Sequence, residues 1–332
     1  MKPAVTFSLL LVLVIALSLV NLVYGGVSIP FERLLDILAH PGDGVDSIIL
    51  WDIRLPRAIA TILGGAILSV SGLLLQVYFR NPVVGPFILG ISSGATLMVS
   101  LVMLTTLFLK LPFHSPYITT AFGMVGSFLV VAVVVAVASR VKSGITLLIV
   151  GLMVGYMCHS VTSILMAFAE KQQIKGFVLW QLGSFNGFKW DEIGLLFMAG
   201  VPLMIMAYGL SKPLNALLLG EDYALSMGID VRRTRMALLF VACALAGLIT
   251  ALAGPVAFIG LAVPHMARMI FATSDNRILI PGVILTGALV TSLCDLVARN
   301  LMSPVELPLS AITAFFGAPV VISLLMKRRV KL

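Results

Sequence analysis

Residues 235–272 read RMALLFVACALAGLITALAGPVAFIGLAVPHMARMIFA. A single helix of this length would extend about 57 Å at ~1.5 Å per residue, nearly twice the ~30 Å hydrocarbon core of a bilayer. Gly254 and Pro255 interrupt the run near its middle, and this pair is typical of a break between helices. The stretch therefore predicts two membrane-spanning helices joined by a tight turn.

Apolar stretches long enough to cross a bilayer recur along the whole chain. We identify ten of them, near residues 5–24, 56–78, 86–108, 117–138, 145–168, 191–210, 235–253, 255–272, 280–300 and 307–326. Of the 332 residues, 60% are hydrophobic and 11% are charged, whereas about a quarter are charged in soluble domains. This composition excludes a cytosolic enzyme, a disordered protein and a nucleic-acid-binding protein. It predicts an all-α polytopic membrane protein with about ten transmembrane helices, forming one domain over residues 1–332.

The basic residues predict how the chain is oriented in the membrane. With ten spans both termini lie on one side, and the basic tail Lys327-Arg328-Arg329 marks that side as cytoplasmic. Of the 22 Lys and Arg residues, 14 fall on this side, together with only four of the 14 acidic residues. The distribution predicts that the N- and C-termini are both cytoplasmic.

The sequence lacks the patterns that carry most enzyme chemistry. It contains no GxxxxGK[ST] phosphate loop and no HExxH. The four scattered histidines nominate no metal site, and the three cysteines stand singly in apolar runs, as small buried residues do. Acidic charge inside the predicted spans is nearly confined to Asp295, and a proton-coupled transporter would normally show more. We therefore expect a non-enzyme without a cofactor, energised by another chain; the alternative is an ion-coupled secondary transporter that needs no ATPase.

The most distinctive polar stretch is the loop of residues 211–234, which we place in the cytoplasm and call the coupling loop. Pro213 can open a short helix and Gly220 can end it. A second short helix is predicted over residues 222–227, with Gly228 stopping it. Two capped, half-apolar helices outside the bilayer need a surface to bury against, either a protein partner or the membrane interface.

Three arginines are exceptions to the inward charge bias. Arg54 and Arg57 open the second span three residues apart, on one side of a helix. Arg299 ends the ninth span at the same level, and Asp295 lies one turn before it. Snorkelling or a local Asp295–Arg299 pair explains these residues as well as a functional role does.

Short motifs along the chain carry a resemblance to a known family. They are Arg54-Leu55-Pro56-Arg57, Gly64-Gly65-Ala66, Ser71-Gly72, Gln76, Arg80-Asn81-Pro82, Leu89-Gly90, Gly94-Ala95, Leu219-Gly220-Glu221, Met227-Gly228, Phe258-Ile259-Gly260-Leu261, Pro264-His265, Arg268, Asp295, Ala298-Arg299, Glu306-Leu307-Pro308 and Gly317-Ala318-Pro319. In this order they resemble the permeases of iron–siderophore, haem and cobalamin ABC importers, the FecCD-type family. The similarity covers essentially the whole chain.

The resemblance implies a permease of a type II ABC importer in a bacterial or archaeal cytoplasmic membrane. It implies a path formed with a second copy of the chain, two separate ATPase subunits that hold ATP and Mg, and an extracytoplasmic substrate-binding protein. Ferric siderophore is the expected cargo, with haem, cobalamin and oxyanions also open. We expect His159, in the fifth span, to be a buried packing residue rather than a contact for haem or metal.

The resemblance also implies roles for particular residues. Those that would enter a cleft of the ATPase are Leu219, Gly220, Glu221, Asp222, Ala224, Met227 and Gly228. Those that would receive carboxylates from the two lobes of the binding protein are Arg54, Arg57 and Arg299. The cytoplasmic gate would lie at Ser143, Gly144 and Ile145.

Overall fold

The computed structural model describes residues 3–25, 29–40, 42, 44–87, 89–104, 116–138, 144–303 and 305–326. Its α-helices are α1 (Pro3–Val23), α2 (Phe31–Ala39), α3 (Val45–Ile48), α4 (Leu55–Phe79), α5 (Ile91–Leu104), α6 (Pro116–Ala138), α7 (Gly144–Phe168), α8 (Lys171–Gln181), α9 (Trp190–Leu195), α10 (Val201–Gly209), α11 (Ser211–Leu219), α12 (Glu221–Ser226), α13 (Val231–Ala253), α14 (Ile259–Phe271), α15 (Asn276–Asn300) and α16 (Leu309–Met326). Short π-helical segments, Ile49–Arg54 and Leu196–Gly200, join α3 to α4 and α9 to α10.

Seven helical stretches in the described part of the chain are long and apolar enough to cross a membrane. They are Pro3–Val23, Val45–Phe79, Tyr117–Val134, Thr146–Phe168, Trp190–Gly209, Val231–Ala253 and Asn276–Asn300. Three shorter apolar helices, Ile91–Leu104, Ile259–Phe271 and Leu309–Ser323, complete a one-to-one match with the ten predicted stretches. The all-α polytopic fold is confirmed. The count of ten spans and the side on which the termini lie stay predictions.

The predicted break in the 235–272 run is confirmed. α13 ends at Ala253, and α14 begins at Ile259. Gly254 adopts a φ of +73°, and a Cβ there would lie 2.1 Å from the carbonyl oxygen of Trp180, so only glycine fits. The connection is five residues long rather than the tight turn we expected, and within it the Pro255 carbonyl accepts a hydrogen bond from the Ser310 hydroxyl at 2.7 Å.

Three helices form the centre of the bundle. Within the most apolar 18-residue stretch of each candidate span, 78% of the residues are buried for the spans that contain α4 and α13, and 61% for α15. The corresponding share is 28% for α1 and for α7. The three cysteines are free and buried, as predicted for small core residues. α4, α13 and α15 are therefore the helices whose ends position the candidate sites.

Small residues let these central helices approach closely. A Cβ at Gly72 of α4 would lie 1.7 Å from the carbonyl oxygen of Gly260 in α14. A Cβ at Gly65 would lie 2.4 Å from the carbonyl oxygen of Gly287 in α15. Inside a membrane, helices associate through such close backbone packing because no hydrophobic force drives them together. The tight bundle predicted from the small-residue pattern is confirmed.

Candidate functional site

The coupling loop folds as two short helices, as predicted. Gly220 takes a φ of +134° and serves both as the C-cap of α11 and as the N-cap of α12. Gly228, with a φ of +76°, follows α12. The boundaries differ slightly from the prediction: α11 begins at Ser211 rather than Pro213, and α12 covers Glu221–Ser226. The second helix starts one residue earlier because Gly220 already supplies its N-cap.

Large apolar side chains of this loop are exposed. The exposed fractions are 69% for Leu219, 46% for Tyr223, 58% for Leu225 and 60% for Met227. Ala224 is the one predicted coupling residue that is fully buried. Contiguous apolar surface outside the membrane marks an interaction site. The loop therefore presents its apolar side chains away from its own bundle.

The end of α4 and the start of α13 hold the coupling loop through one contact each. Arg80, the left-handed residue that ends α4, donates from Nη2 to the carbonyl oxygen of Leu217 at 2.9 Å. Glu221 pairs with Arg235, with 2.5 Å between Oε1 and Nη2. The Arg235 guanidinium also lies 5.7 Å from the centre of the Tyr78 ring. The first short helix is thus tied to the end of α4, and the second to α13, whose Arg235 lies against Tyr78 of α4.

The start of α15 holds the coupling loop through an asparagine. Asn215 accepts at Oδ1 from the backbone N–H and the Nδ2 of Asn276, both at 2.8 Å. Its own Nδ2 donates to Asp275 Oδ1 at 2.6 Å. The backbone N–H of Arg277 and the Asn215 amide, which donate to the Asp275 carboxylate, lower the pKa of Asp275. Sequence reasoning missed these residues, because the contacts join positions about 60 residues apart.

The far ends of α4 and α15 carry the arginine cluster, which comprises Arg54, Arg57, Asp295, Arg299 and Glu306. Arg57 faces Asp295 Oδ1 with Nη2 at 2.9 Å and Nε at 3.1 Å. Its Nη1 donates to both carboxylate oxygens of Glu306, at 2.9 and 3.0 Å. The Arg299 Nε lies 3.3 Å from Asp295 Oδ2, an ion pair whose Nε–H is not aligned as a hydrogen bond. The local Asp295–Arg299 pair considered from the sequence is therefore confirmed, and Arg57 joins it.

The other two arginines of the cluster hold the end of α1. Arg54 donates from Nη1 to the carbonyl oxygens of Leu22 and Val23, the latter at 2.9 Å. Arg299 donates from Nη2 to the side-chain oxygen of Asn21. These carbonyls lie in the last turn of a helix, where they have no partner within the helix itself. The arginines satisfy them and fix α1 against α4 and α15.

The three arginines that are predicted to dock a binding protein are buried in this conformation. Arg54 and Arg57 are each 5% exposed, and the side chain of Arg299 is 8% exposed. All three arginines lie close together, as expected from their predicted positions at the same depth in the membrane. In this structure, however, each of them binds groups of its own chain. Their role in receiving carboxylates of a binding protein stays a prediction. Glu306 was missed as a partner, although its motif Glu306-Leu307-Pro308 had been noted.

The predicted gate falls largely outside the described residues. Ser143 is not among them, and nor are the side chains of Gly144 and Ile145, although α7 begins at Gly144. The gate therefore stays a prediction. His159, farther along α7, is exposed, and so is the neighbouring Tyr156 at 61%. The expectation of a buried packing histidine is wrong, because the described helices of this chain do not cover that face of α7.

The cavities differ in their chemistry. A cavity of about 290 Å³ is lined almost entirely by apolar residues between α4 and α14, and another of about 310 Å³ lies among α14, α15 and α16. A third, of about 420 Å³, has polar walls that include Ser184, Asn186 and Glu306. Within the described residues no group of three or more His, Cys, Asp and Glu side chains could hold a metal ion. This third cavity, which we call the polar cavity, is lined by one residue of the arginine cluster, Glu306.

Known proteins similar to this chain are membrane permeases. The hemin transport system permease protein HmuU of Yersinia pestis is 33% identical over 334 residues, which cover 99% of this chain and 97% of the relative. The vitamin B12 import system permease protein BtuC of Salmonella typhi is 34% identical over 291 residues, 86% of this chain and 87% of BtuC.

Solved structures agree with this similarity. The structure of a metal-chelate type ABC transporter in an inward-facing conformation superposes with a TM-score of 0.83 at 27% identity, covering 98% of this chain and all of that one. PsaBC from Streptococcus pneumoniae shares the fold, with a TM-score of 0.56 at 12% identity. The model of the FecCD transport family matches residues 10–327. This chain, with its central α4, α13 and α15, therefore belongs to the FecCD transport family.

Proposed function

We propose that this chain is the permease subunit of an ATP-binding cassette importer, driven by two separate ATPase subunits that bind ATP and Mg. One observation carries the proposal: the coupling loop exposes Leu219, Leu225 and Met227 while hydrogen bonds fix it to the end of α4 and the start of α15. A cleft in a motor subunit would cover these side chains. Closure of the motor would then move both helices through rigid contacts.

The membrane region forms one permease domain over residues 1–332, with about ten spans and cytoplasmic termini, in a bacterial or archaeal cytoplasmic membrane. Seven long and three short apolar helices support this count. The short helices α5 and α14 follow irregular backbone, which inside a membrane is tolerated where it is buried in protein. The positive-inside distribution of Lys and Arg supports the orientation.

A second copy of the chain completes the translocation path. The exposed face of α7 carries Tyr156, His159 and Ser160 within a candidate membrane span. Polar groups at membrane depth face other protein or a water-filled cavity rather than lipid. Pairing two copies along this face would enclose such a path, with the proposed gate of Ser143, Gly144 and Ile145 where the sequence enters the same helix.

The cargo belongs to the class of metal chelates, namely ferric siderophore, haem or cobalamin. The descriptions of HmuU and BtuC, which name hemin and vitamin B12, support this class. The chain itself supplies no resident cofactor in this proposal. An extracytoplasmic substrate-binding protein would deliver the cargo and would dock where the arginine cluster lies. The cluster holds three guanidinium groups and two carboxylates, so its excess charge is positive and suits acidic partner residues.

Assembly with the ATPase tests this function. Combining Glu221→Arg with Met227→Asp is expected to reduce co-purification of the ATPase subunit by at least about tenfold, because it removes the Arg235 contact and places a charge in an apolar interface. A matched control makes the same chemical changes at two exposed positions on the opposite side, Asp191→Arg with Met302→Asp. Undiminished assembly of the first variant would contradict the proposal.

A further inference from the structure

Glu306 differs from the other acidic residue of the arginine cluster. Its side chain is 38% exposed, whereas that of Asp295 is 3% exposed and that of Arg57 is 6% exposed. Both carboxylates bind the same guanidinium: Asp295 through Nε and Nη2, and Glu306 through Nη1. Arg57 therefore has one buried partner and one partner at the surface.

The charges of the cluster require a hydrogen-bond acceptor at Arg57 Nη1, the position that Glu306 occupies. Without Glu306, the guanidinium groups of Arg57 and Arg299 would share the single buried carboxylate of Asp295. A buried guanidinium cannot lose its proton, and leaving its N–H groups without an acceptor is costly. Any group that displaces Glu306 from Arg57 must therefore be an acceptor, and a second carboxylate fits the vacated position best.

A cavity beside Glu306 could admit a carboxylate side chain of another protein. Glu306 lines the polar cavity of about 420 Å³, together with Trp180, Ser184, Asn186 and Leu307. A cavity of about 150 Å³ in a protein interior already admits a benzene molecule. The polar cavity thus has room for an aspartate or glutamate side chain of a docked protein beside Glu306.

We propose that Glu306 is an exchangeable internal ligand of Arg57, which the acidic residue of a docking protein replaces. This proposal rests on the proposed docking of a substrate-binding protein at the arginine cluster. Between docking events Glu306 keeps Arg57 paired, and it competes with the incoming carboxylate, so that it weakens docking. Glu306 is a positioning residue that acts through Arg57.

The exchange would also reach α16. Glu306 lies in the connection between α15 and α16, where the Leu307 N–H donates to the Ala298 carbonyl at 2.9 Å. Directly afterwards the Leu309 N–H donates to the Gly183 carbonyl at 3.2 Å. Releasing the Glu306 side chain removes the side-chain contact that holds this connection to α4, so that the two backbone hydrogen bonds remain to hold it. Docking would therefore weaken the attachment of the connection that leads into α16, a helix that lines the apolar cavity among α14, α15 and α16.

Glu306→Gln tests the proposal, because the amide oxygen still accepts from Arg57 while the competing charge is lost. The probe is the solute-binding protein encoded beside this permease, with its affinity measured on the full transporter in nanodiscs at about 50 and 500 mM salt. We expect about fivefold tighter binding at low salt, a steeper salt dependence and an unchanged unfolding temperature. Structural damage would instead weaken binding and lower the unfolding temperature.

The matched control is Glu170→Gln, an exposed glutamate at the start of α8 whose substitution changes the net charge equally. Tighter binding by Glu306→Gln alone supports the exchange. If the wild type binds in a salt-sensitive way and Glu306→Gln binds equally or more weakly, the exchange is wrong and the docking function stands. If both substitutions strengthen binding equally, the gain in affinity comes from the change in net charge, and the exchange is again wrong. A wild type that fails to bind at either salt overturns the docking function and the exchange together.

Discussion

Replacing Asp295 by alanine is expected to lower the free energy of unfolding by about 3–5 kcal/mol, because it strips two buried arginines of the carboxylate that they share. Among the described residues, Arg57 would then keep the half-exposed Glu306, and Arg299 would keep the oxygen atoms of Asn21. Asp295→Asn keeps the shape of the side chain but removes its charge. Its free energy of unfolding is therefore expected to fall almost as far as that of Asp295→Ala.

Unfolding can be followed through the buried cysteines Cys158, Cys243 and Cys294, whose thiols become reactive to a fluorescent maleimide as the protein unfolds. The expected fall in unfolding temperature for the Asp295 variants is on the order of 5 °C. Asp191→Ala, at an exposed position, is the control and should leave the temperature unchanged. An unfolding temperature of Asp295→Ala equal to that of the wild type would show that the cluster does not hold α1, α4 and α15 together.

Gly72→Val is expected to cost more than about 3 kcal/mol and to prevent recovery of folded protein from the membrane. The new Cβ would lie 1.7 Å from the carbonyl oxygen of Gly260, and the clash is with backbone, which cannot move aside as a flexible side chain does. Overpacking a core usually costs about 1–3 kcal/mol, and the cost is expected to exceed that range here because α4 and α14 must separate. The measurement is the yield of monodisperse protein after extraction in mild detergent.

Gly194 supplies the control for this substitution. It lies in α9, and a Cβ there would meet no atom within 4 Å. Gly194→Val is therefore expected to give wild-type yield, since only a small difference in helix propensity remains. Normal yield of Gly72→Val would mean that the close approach of α4 and α14 is not required for the fold.

Much of the fold could be predicted from the sequence, because apolar length and breaks between runs act locally. The ten apolar stretches correspond to ten helices, and the break at Gly254 lies where the glycine and proline indicated. The two short helices of the coupling loop were likewise predicted, from Gly220 and Gly228, because capping depends on neighbouring residues.

The partners within each site could not be predicted in the same way. Arg57 meets Asp295 and Glu306 across more than 200 positions of sequence, and no periodicity encodes that pairing. The same holds for Asn215 in the coupling loop and Asn276 at the start of α15. His159 was misjudged for a related reason: an apolar run does not tell whether the helix face that carries a polar residue is covered by its own chain.

α4 and α15 connect the two candidate sites physically. At one end both helices carry the arginine cluster, and at the other both hold the coupling loop. Between these ends they pack through Gly65 and Gly287. In the proposed function, force applied to the coupling loop by a motor subunit reaches the docking face through these two helices, and docking acts in the reverse direction.

Uptake by purified components in liposomes tests the central claim most directly. Liposomes that contain this chain alone, under proton and sodium gradients, are compared with liposomes that contain the complete transporter, ATP and the binding protein loaded with ferric siderophore, haem or cobalamin. We predict accumulation only when the ATPase subunits and hydrolysable ATP are present. Accumulation driven by an ion gradient through the chain alone would contradict the account and establish a secondary transporter.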